Sequence, residues 1–447
     1  MSLEYDKRTF EQEIAPAAIY TDALTGLGNR LRLQQKFLRL SQERAADPAP
    51  FTIGIANIDG FKPINDLFGA EAGDQILCQV AHRLKACLPE GASAMRYEGD
   101  SIAFLLPLVF ESKSAERVGQ VIKDVLSAPY DLGGRHVRLS ASFGLAIHPF
   151  AGDSFAELMK SAETALYRSK RRGRGQITVY SREIAQEMRR ATQLEQALRN
   201  AIIHDAVEVH FQPIVRLNDG CVIGFEALAR WNDPELGMIS PAVFVPVAEE
   251  RGFIDALSES LLRKAAETAL TWPRELFLSF NLSSAQLMDP NIADTILSIL
   301  GRVGLDPRRL ELEITETAVM SCADTAERII ADLRKAGVRI SLDDFGTGQS
   351  SLGRLRDFSF DKIKIDRAFV SRIRTDRPSE HIIKAILTMC EGLDLEVVAE
   401  GIEEPLEAEK LKRLGCSMGQ GYFYGRPVDA LATSQYLDAN YREMRLQ

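Results

Sequence analysis

The sequence predicts an α/β two-domain protein: an α+β domain followed by a TIM-like (β/α)8 barrel with one antiparallel strand. Three observations predict it. The 447 residues suit an ordinary domain plus one barrel of about 250 residues. Residues 22–180 alternate strand and helix patterns in a βαββ-type order, which implies one mixed, largely antiparallel sheet with helices packed on it. From residue 207 onward, eight short strand patterns recur, most of them followed by a helical segment.

Residues 1–20 are polar and helical in pattern, with apolar positions too sparse for a core. In the domain assigned to 21–180, TIGIANI (52–58) reads as a strand. AMRYEGDSIAFLLPL (94–108) reads as two strands around a tight Glu98-Gly99-Asp100 turn, and VRLSASFGLAI (137–147) as another strand pair. A helix is predicted over 154–172. The segment 181–204 reads as a linker helix: Ile184, Met188, Ala191, Leu194, Leu198 and Ile202 recur at three- and four-residue steps, and Ser181 offers an N-cap. Such a stripe is first a packing surface and second a lever between domains. In the domain assigned to 205–440 the strands are 209–215, 221–231, 276–283, 310–316, 338–345, 362–366, 396–402 and 419–425. A short Asn218-Asp219-Gly220 turn joins the first two, so one of them is antiparallel to its neighbour.

Composition narrows the function classes. Apolar residues are 45% and charged residues 26%, which excludes collagenous, fibrous or wholly disordered chains. No apolar run approaches the roughly 18 residues that span a bilayer. The N-terminus lacks the apolar core of a secretory signal. Six cysteines form no C-x-x-C pair, as expected of reduced core thiols in a cytoplasmic protein. The net charge of −9 is uneven: 22 basic face 21 acidic residues over 1–180, but 32 face 42 over 181–447. An acidic second half disfavours a nucleic acid polymer as partner and suits a carboxylate-lined divalent cation site.

Polar residues gather at the C-terminal ends of the barrel strands: Gln212, Glu226, Arg230, Asn281, Glu313, Glu316, Asp343, Asp344, Lys364, Asp366, Glu400 and Gln420. Active sites of this architecture lie on that face. In LELEITE, Glu311 and Glu313 alternate with apolar residues. In KIKID, Lys362, Lys364 and Asp366 do the same, so one face of each strand is charged. Adjacent Asp343 and Asp344 repel each other without a cation. Carboxylates with an Asn oxygen are hard ligands suited to Mg²⁺ or Mn²⁺. Two such ions about 4 Å apart activate a water and stabilise the leaving oxygen of a phosphodiester.

Residues 190–440 resemble the EAL family of cyclic di-GMP phosphodiesterases. Eight ordered motifs carry the resemblance: Gln212-Pro213, Glu226-Ala227-Leu228 with Arg230-Trp231, Asn281-Leu282-Ser283, Glu313-Ile314-Thr315-Glu316, Asp343-Asp344-Phe345-Gly346-Thr347-Gly348, Lys364-Ile365-Asp366, Ala399-Glu400-Gly401 and Gly419-Gln420-Gly421-Tyr422. The resemblance implies hydrolysis of cyclic di-GMP to linear pGpG by two Mg²⁺ or Mn²⁺ ions. Glu226, Asn281, Glu313 and Asp343 are the implied ligands of the first ion, with Asp343 bridging and Asp344 and Glu400 serving the second. Lys364 is implied to hold the attacking water or the charge developing on phosphate. Glu316 braces the glycine-rich loop. Gln212, Arg230, Asp366 and Gln420 contact substrate or support those that do. The identity of the general base stays open. Gln349 and Glu404 depart from the usual Tyr and Thr, which bears on loop behaviour. The alternative is a non-hydrolysing cyclic di-GMP receptor.

Residues 22–180 resemble the GGDEF family of diguanylate cyclases, on Asp22-x-Leu24-Thr25-Gly26-Leu27-x-Asn29-Arg30, Ile58-Asp59-Gly60-Phe61-Lys62-x-Ile64-Asn65-Asp66, Gly73-Asp74, Ala165-Leu166-Tyr167-x-x-Lys170 and Gly173-Arg174. The signature turn departs, reading Glu98-Gly99-Asp100-Ser101-Ile102. Glu98 replaces a glycine, Ser101 an acid, and Asn57 stands where the family has a metal-binding Asp, so only Asp100 remains of the acidic set. Cyclase activity is expected to be absent, since joining two GTP molecules needs that metal and acid. The family's inhibitory R-x-x-D is replaced by Pro89-Glu90-Gly91-Ala92. Asn65, Asp74, Asp100, Lys170 and Arg174 match GTP-contacting positions. The domain is therefore expected to act as a scaffold or as a GTP-responsive regulator. The resemblance also implies a homodimer, and residues 1–20 resemble the helix that enters such domains from an upstream sensor.

Overall fold

A computed structural model describes residues 17–42, 50–321, 323–345, 358–374 and 376–444, and these form two compact units divided between Thr192 and Gln193.

The first unit is built on a five-stranded sheet. Its strands are β1 (Phe51–Asp59), β2 (Ser93–Glu98), β3 (Ser101–Leu106), β6 (Ser140–His148) and β7 (Ile177–Val179), in spatial order β2-β3-β1-β6-β7. All neighbours are antiparallel except β6 and β7. Central β1 is covered on both faces, which is why it reads as a continuous apolar run. Phe51, Ile53 and Ile55 join one core with Leu33, Phe37 and Leu158; Ala56 and Ile58 join the other with Ile76, Val80, Phe104 and Phe143. The helix Phe155–Arg171 starts with a capping box between Ser154 and Glu157. It lies so close to β6 that a Cβ on Gly144 would stand 2.0 Å from the Ala162 carbonyl oxygen.

The β2–β3 hairpin turns at Glu98-Gly99-Asp100 as expected. The segment 137–147 departs from expectation, because it is no strand pair. One long strand, β6, fills Ser140–His148. The preceding His136–Val137 (β5) pairs instead with Tyr130–Asp131 (β4) in a separate two-stranded hairpin. β-Propensity marked both pieces but not their partners.

The helix Arg182–Ile203 spans the boundary between units. Its N-terminus is fastened by Ser181, whose Oγ accepts from the Ile184 N–H at 3.4 Å. Ile184 is buried, and Glu187 pairs with Arg168 at 2.7 Å. Further along, Leu198 and Ala201 enter the core of the second unit.

The second unit is a closed barrel of eight strands: β8 (Glu208–Arg216), β9 (Val222–Asp233), β11 (Phe277–Asn281), β12 (Leu310–Thr315), β13 (Arg339–Phe345), β14 (Lys362–Ile365), β15 (Glu396–Ala399) and β16 (Met418–Gln420). β8 is antiparallel to both its neighbours, β9 and β16, and the other barrel neighbours are parallel. A ninth short strand, β10 (Gly237–Ile239), extends β9 as an antiparallel flap. Two strands end three or more residues earlier than the sequence patterns suggested. β15 stops at Ala399, before Gly401 turns the chain at φ 69°. β16 stops at Gln420, because Gly421 packs on the Ile402 backbone and starts a turn that Tyr424 and Gly425 close onto its carbonyl. Of the helical lead-in expected over 1–20, residues 1–16 lie outside the described residues, as do Cys322 and the glycine-rich segment 346–350 with Gln349.

Candidate active site

The barrel strands deliver polar and charged side chains inward at every second position. On β14 these are Lys362 and Lys364; on β12, Glu311 and Glu313; on β13, Arg339, Ser341 and Asp343. The centre is Lys364, which is 1% exposed. Its ammonium lies 2.6 Å from Glu313 and 2.6 Å from Glu400, with Glu226 at 3.8 Å and Asp343 at 3.9 Å. These five residues come from five different strands or strand ends, all at the C-terminal mouth.

Each carboxylate is held by a neighbour. Glu226 accepts from Asn281 Nδ2 at 2.8 Å and from Gln420 Nε2 at 2.6 Å. Gln420 also donates to Gln212 Oε1 at 3.1 Å, and Gln212 donates to the Gly425 carbonyl at 3.1 Å. Glu313 Oε1 accepts from Ser279 Oγ at 2.6 Å. Its Oε2 faces the ammonium as an ion pair but off any hydrogen-bond direction. The strand β13 bulges against β14, and Asp344 follows with φ 56° and its N–H bonded to Asp343 Oδ1 at 2.9 Å.

Burial and crowding separate the acids electrostatically. Burial raises the Glu226 pKa, but Lys364 and the bonds from Gln420 and Asn281 outweigh it and hold the group below its ordinary value. Burial and the neighbouring Glu226 carboxylate push Glu313 well above its ordinary value. Burial, against the pull of Lys364, pushes Glu400 up to about 7. Burial and Asp343 also raise Asp344. Burial opposes the charge on Lys364, yet the surrounding carboxylates carry its pKa well above normal, so it stays an ammonium.

The remaining predicted residues sit at the rim. Arg230 is partly buried, donates to the Ala229 carbonyl at 2.8 Å and feels Tyr422 and Glu226. Asp366 accepts from the Ala368 N–H at 2.8 Å and so caps the turn that follows β14. Glu316 is buried at the start of the helix Glu316–Ser321; the loop it was expected to brace lies outside the described residues. Glu404 pairs with Arg374 and caps the helix Pro405–Leu414. A cavity of about 710 Å³ opens beside Asn281, Asp343 and Asp344 and runs under the helix Pro241–Glu250.

Sequence reasoning missed Ser279. Its signal was present in the alternation of β11, which puts Phe277, Ser279 and Asn281 on one face.

Among the described residues, no three His, Cys, Asp or Glu side chains converge in ligand geometry. The reason is visible: the ammonium holds the centre and draws Glu313 and Glu400 onto itself. The charge balance still fits divalent cations, because Glu226, Glu313, Asp343, Asp344 and Glu400 oppose one lysine in an oxygen-only donor set with Asn281.

In the first unit the cross-strand pair Asn57–Ser101 is neutral. Asn57 on β1 lies opposite Ser101 on β3 and donates to its Oγ at 3.2 Å. Asp59 is buried and bonded to Ser140 Oγ, Ser142 Oγ and the Gly175 N–H. Asn65 Oδ1 is buried without a hydrogen bond among the described residues, and a Cβ on Gly73, beside Asp74, would stand 2.0 Å from it. Asp74 and Arg174 are exposed, while Asp100 and Lys170 are half-buried.

Comparison with known proteins agrees with this division. The family "EAL domain" matches residues 195–427, and "Diguanylate cyclase, GGDEF domain" matches 19–176. The cyclic di-GMP phosphodiesterase NbdA of Pseudomonas aeruginosa is 34% identical over 422 residues, 94% of this chain and 54% of NbdA. The bifunctional diguanylate cyclase/cyclic di-GMP phosphodiesterase MucR of the same organism is 34% identical over 423 residues, 94% of this chain and 62% of MucR. The solved PaMucR phosphodiesterase in complex with c-di-GMP superposes with a TM-score of 0.52 at 38% identity, covering 54% of this chain and 99% of that one. The chain spans about half the length of the first curated relatives it matches. With both domain families matched in order and the EAL match covering more than half of its length, the chain belongs to the EAL family, in the tandem arrangement with a GGDEF domain ahead of the barrel.

Proposed function

We propose that the barrel hydrolyses one phosphodiester of cyclic di-GMP to linear pGpG with Mg²⁺ or Mn²⁺, and that the first domain does not make cyclic di-GMP. One observation carries the first half: an ammonium held between Glu313 and Glu400 and ringed by Glu226 and Asp343 at the barrel mouth. Glu226, Asn281, Glu313, Asp343, Asp344 and Glu400 would hold the metal ions, which when bound supply Lewis-acid activation of water and charge neutralisation at phosphorus.

The chain's own residues do the rest. Gln420 and Asn281 fix Glu226 from two sides, so this acid keeps its charge and position. Arg230 offers N–H donors to the phosphate oxygens. The proton of the attacking water passes to a carboxylate at the barrel mouth, and Glu400, which burial raises to about 7 before any metal binds, is the one readiest to take it. The water oxygen bonds to phosphorus, the bond from phosphorus to the bridging ester oxygen breaks, and that oxygen leaves as the new hydroxyl by taking up a proton that the carboxyl group gives back or solvent supplies. Lys364 stays cationic and donates to the charge that develops on phosphate.

The second half rests on the Asn57–Ser101 pair, which offers no carboxylate where metal-bound triphosphate chemistry needs one. The match of Asn65, Asp74, Asp100, Lys170 and Arg174 to GTP-contacting positions, with Asp74 and Arg174 exposed, supports retained GTP binding and thus a regulatory role. The test is incubation of the chain with cyclic di-GMP and Mg²⁺ or Mn²⁺, with and without GTP, followed by chromatography. Appearance of pGpG, faster with GTP, is expected. Intact cyclic di-GMP that stays bound makes the barrel a receptor instead.

A further inference from the structure

Glu311 and Lys362 face the barrel interior but take no part in the chemistry above. Each sits two residues before an active-site group, Glu313 and Lys364, which places the pair one tier lower, about 6.6 Å down the barrel. Lys362 Nζ lies 2.6 Å from Glu311 Oε2, and both side chains are 1% exposed. Barrels of this kind fill that tier with branched apolar residues; here it holds a buried ion pair.

The pair reaches across β13, from β12 to β14. Other strands lean on it. Phe277 of β11 lies under Lys362, its ring 4.2 Å from the ammonium, and under Arg339 of β13 at 4.5 Å. Arg339 approaches Glu311 at 3.8 Å, and Glu396 of β15 approaches Lys362 at 3.7 Å. Five consecutive strands are thus tied by side chains at one level.

The tie lies one tier below the point where the backbone ladder fails. β13 and β14 pair at Ser341–Lys362 and Leu342–Ile363, then slip to Phe345–Ile365. Lys364 therefore stands opposite two residues, Asp343 and Asp344. On that side no ladder fixes the height or lateral position of its ammonium, although β15 pairs with it on the other.

We propose that Glu311 and Lys362 are positioning residues: their ion pair ties β12 to β14 across the bulged β13 and so sets where the Lys364 ammonium stands between Glu313 and Glu400. Only the kinetic part of the test rests on the hydrolase reading.

The test compares the full-length chain with Glu311→Leu/Lys362→Met, a double variant that removes both charges at similar volume and so leaves no unpaired ion in the core. Thermal melting, Mn²⁺ affinity by titration calorimetry, and kcat and KM for cyclic di-GMP are measured. The expected result is a melt close to that of the parent, kcat lower by about 10- to 100-fold, KM within about twofold, and Mn²⁺ binding weaker by about tenfold. Lys362→Arg should restore most of the rate. A double variant with parental kcat and Mn²⁺ affinity overturns the proposal, because the pair then only fills space. If the double variant does not fold, Glu311→Gln decides on the same two readouts. A parent chain that binds Mn²⁺ without turnover refutes the hydrolase reading and leaves Mn²⁺ affinity to decide the positioning role. A parent chain that does neither overturns both.

Discussion

The two domains carry equivalent-looking strand-end sites and treat charge in opposite ways. At the barrel mouth five carboxylates crowd one lysine, and burial drives Glu313 and Glu400 above their ordinary pKa values. In the first domain Asn57 and Ser101 form a cross-strand hydrogen bond between themselves. A site that stores unbalanced charge needs a ligand to relax, whereas a site that closes its own hydrogen bonds does not. The difference separates a crowded, charged strand-end site from one whose Asn and Ser side chains satisfy each other.

The largest test of this contrast is removal of a barrel carboxylate. Glu313→Ala or Asp343→Ala should lower pGpG formation by more than about 10³-fold, with the fold intact by circular dichroism. Near-normal turnover in either variant would remove the barrel's claim to the chemistry. Detection of cyclic di-GMP made from GTP by the unmodified chain would break the contrast from the other side. Asn57→Asp/Ser101→Glu should sharpen it, raising Mg²⁺-dependent GTP affinity by about tenfold by replacing the neutral pair with two acids.

A pH series tests the stored charge itself. Glu400 titrates near 7 in the metal-free barrel, against an ordinary value of 4.5. A carboxyl with a raised folded pKa stabilises the fold fully below about 4.5, and that contribution is lost as pH rises through about 7. A cation competes for the same oxygens, so Mn²⁺ affinity should fall about tenfold per pH unit below 7 and level off above it. The rise in melting temperature on adding Mn²⁺ should therefore grow from pH 6 to pH 8. Calorimetry and melting at constant ionic strength check both, and a flat profile would mean that Glu400 does not face the metal.

Much of this was legible before the fold was known. Glu313 and Lys364 could be read from alternation, because one face of LELEITE and of KIKID is charged, and Glu226, Asn281, Asp343 and Glu400 from their place at strand ends. Alternation gives the face but not the partner. It could not show that Lys362 reaches Glu311 across β13, nor that Gln212 acts through Gln420. The shear of the barrel sets those meetings. Ser279 hid inside an apolar run because a hydroxyl carries no charge to mark it. The three-residue flap β10 was too short for periodicity to register, and 137–147 was read as two paired strands because propensity does not encode pairing.

The smallest predicted effects give the finest comparison, since each domain holds one buried carboxylate by serine hydroxyls. Ser142 and Ser140 donate to Asp59, which also accepts from Gly175 N–H. Ser279 donates to Glu313 at 2.6 Å. Loss of one such bond costs roughly 1 kcal/mol in either place. In the first domain the bond serves structure alone, so Ser142→Ala should lower that unit's melting temperature by about 2–4 °C and leave pGpG formation unchanged. In the barrel the same loss frees Glu313 to turn against Lys364, so Ser279→Ala should lower kcat about threefold as well. Equal changes in melting with unequal changes in rate are the expected pattern. Equal effects on rate would mean that the hydroxyls do the same work in both domains, and that the contrast between a charged site and a neutral one does not extend to the groups that hold them.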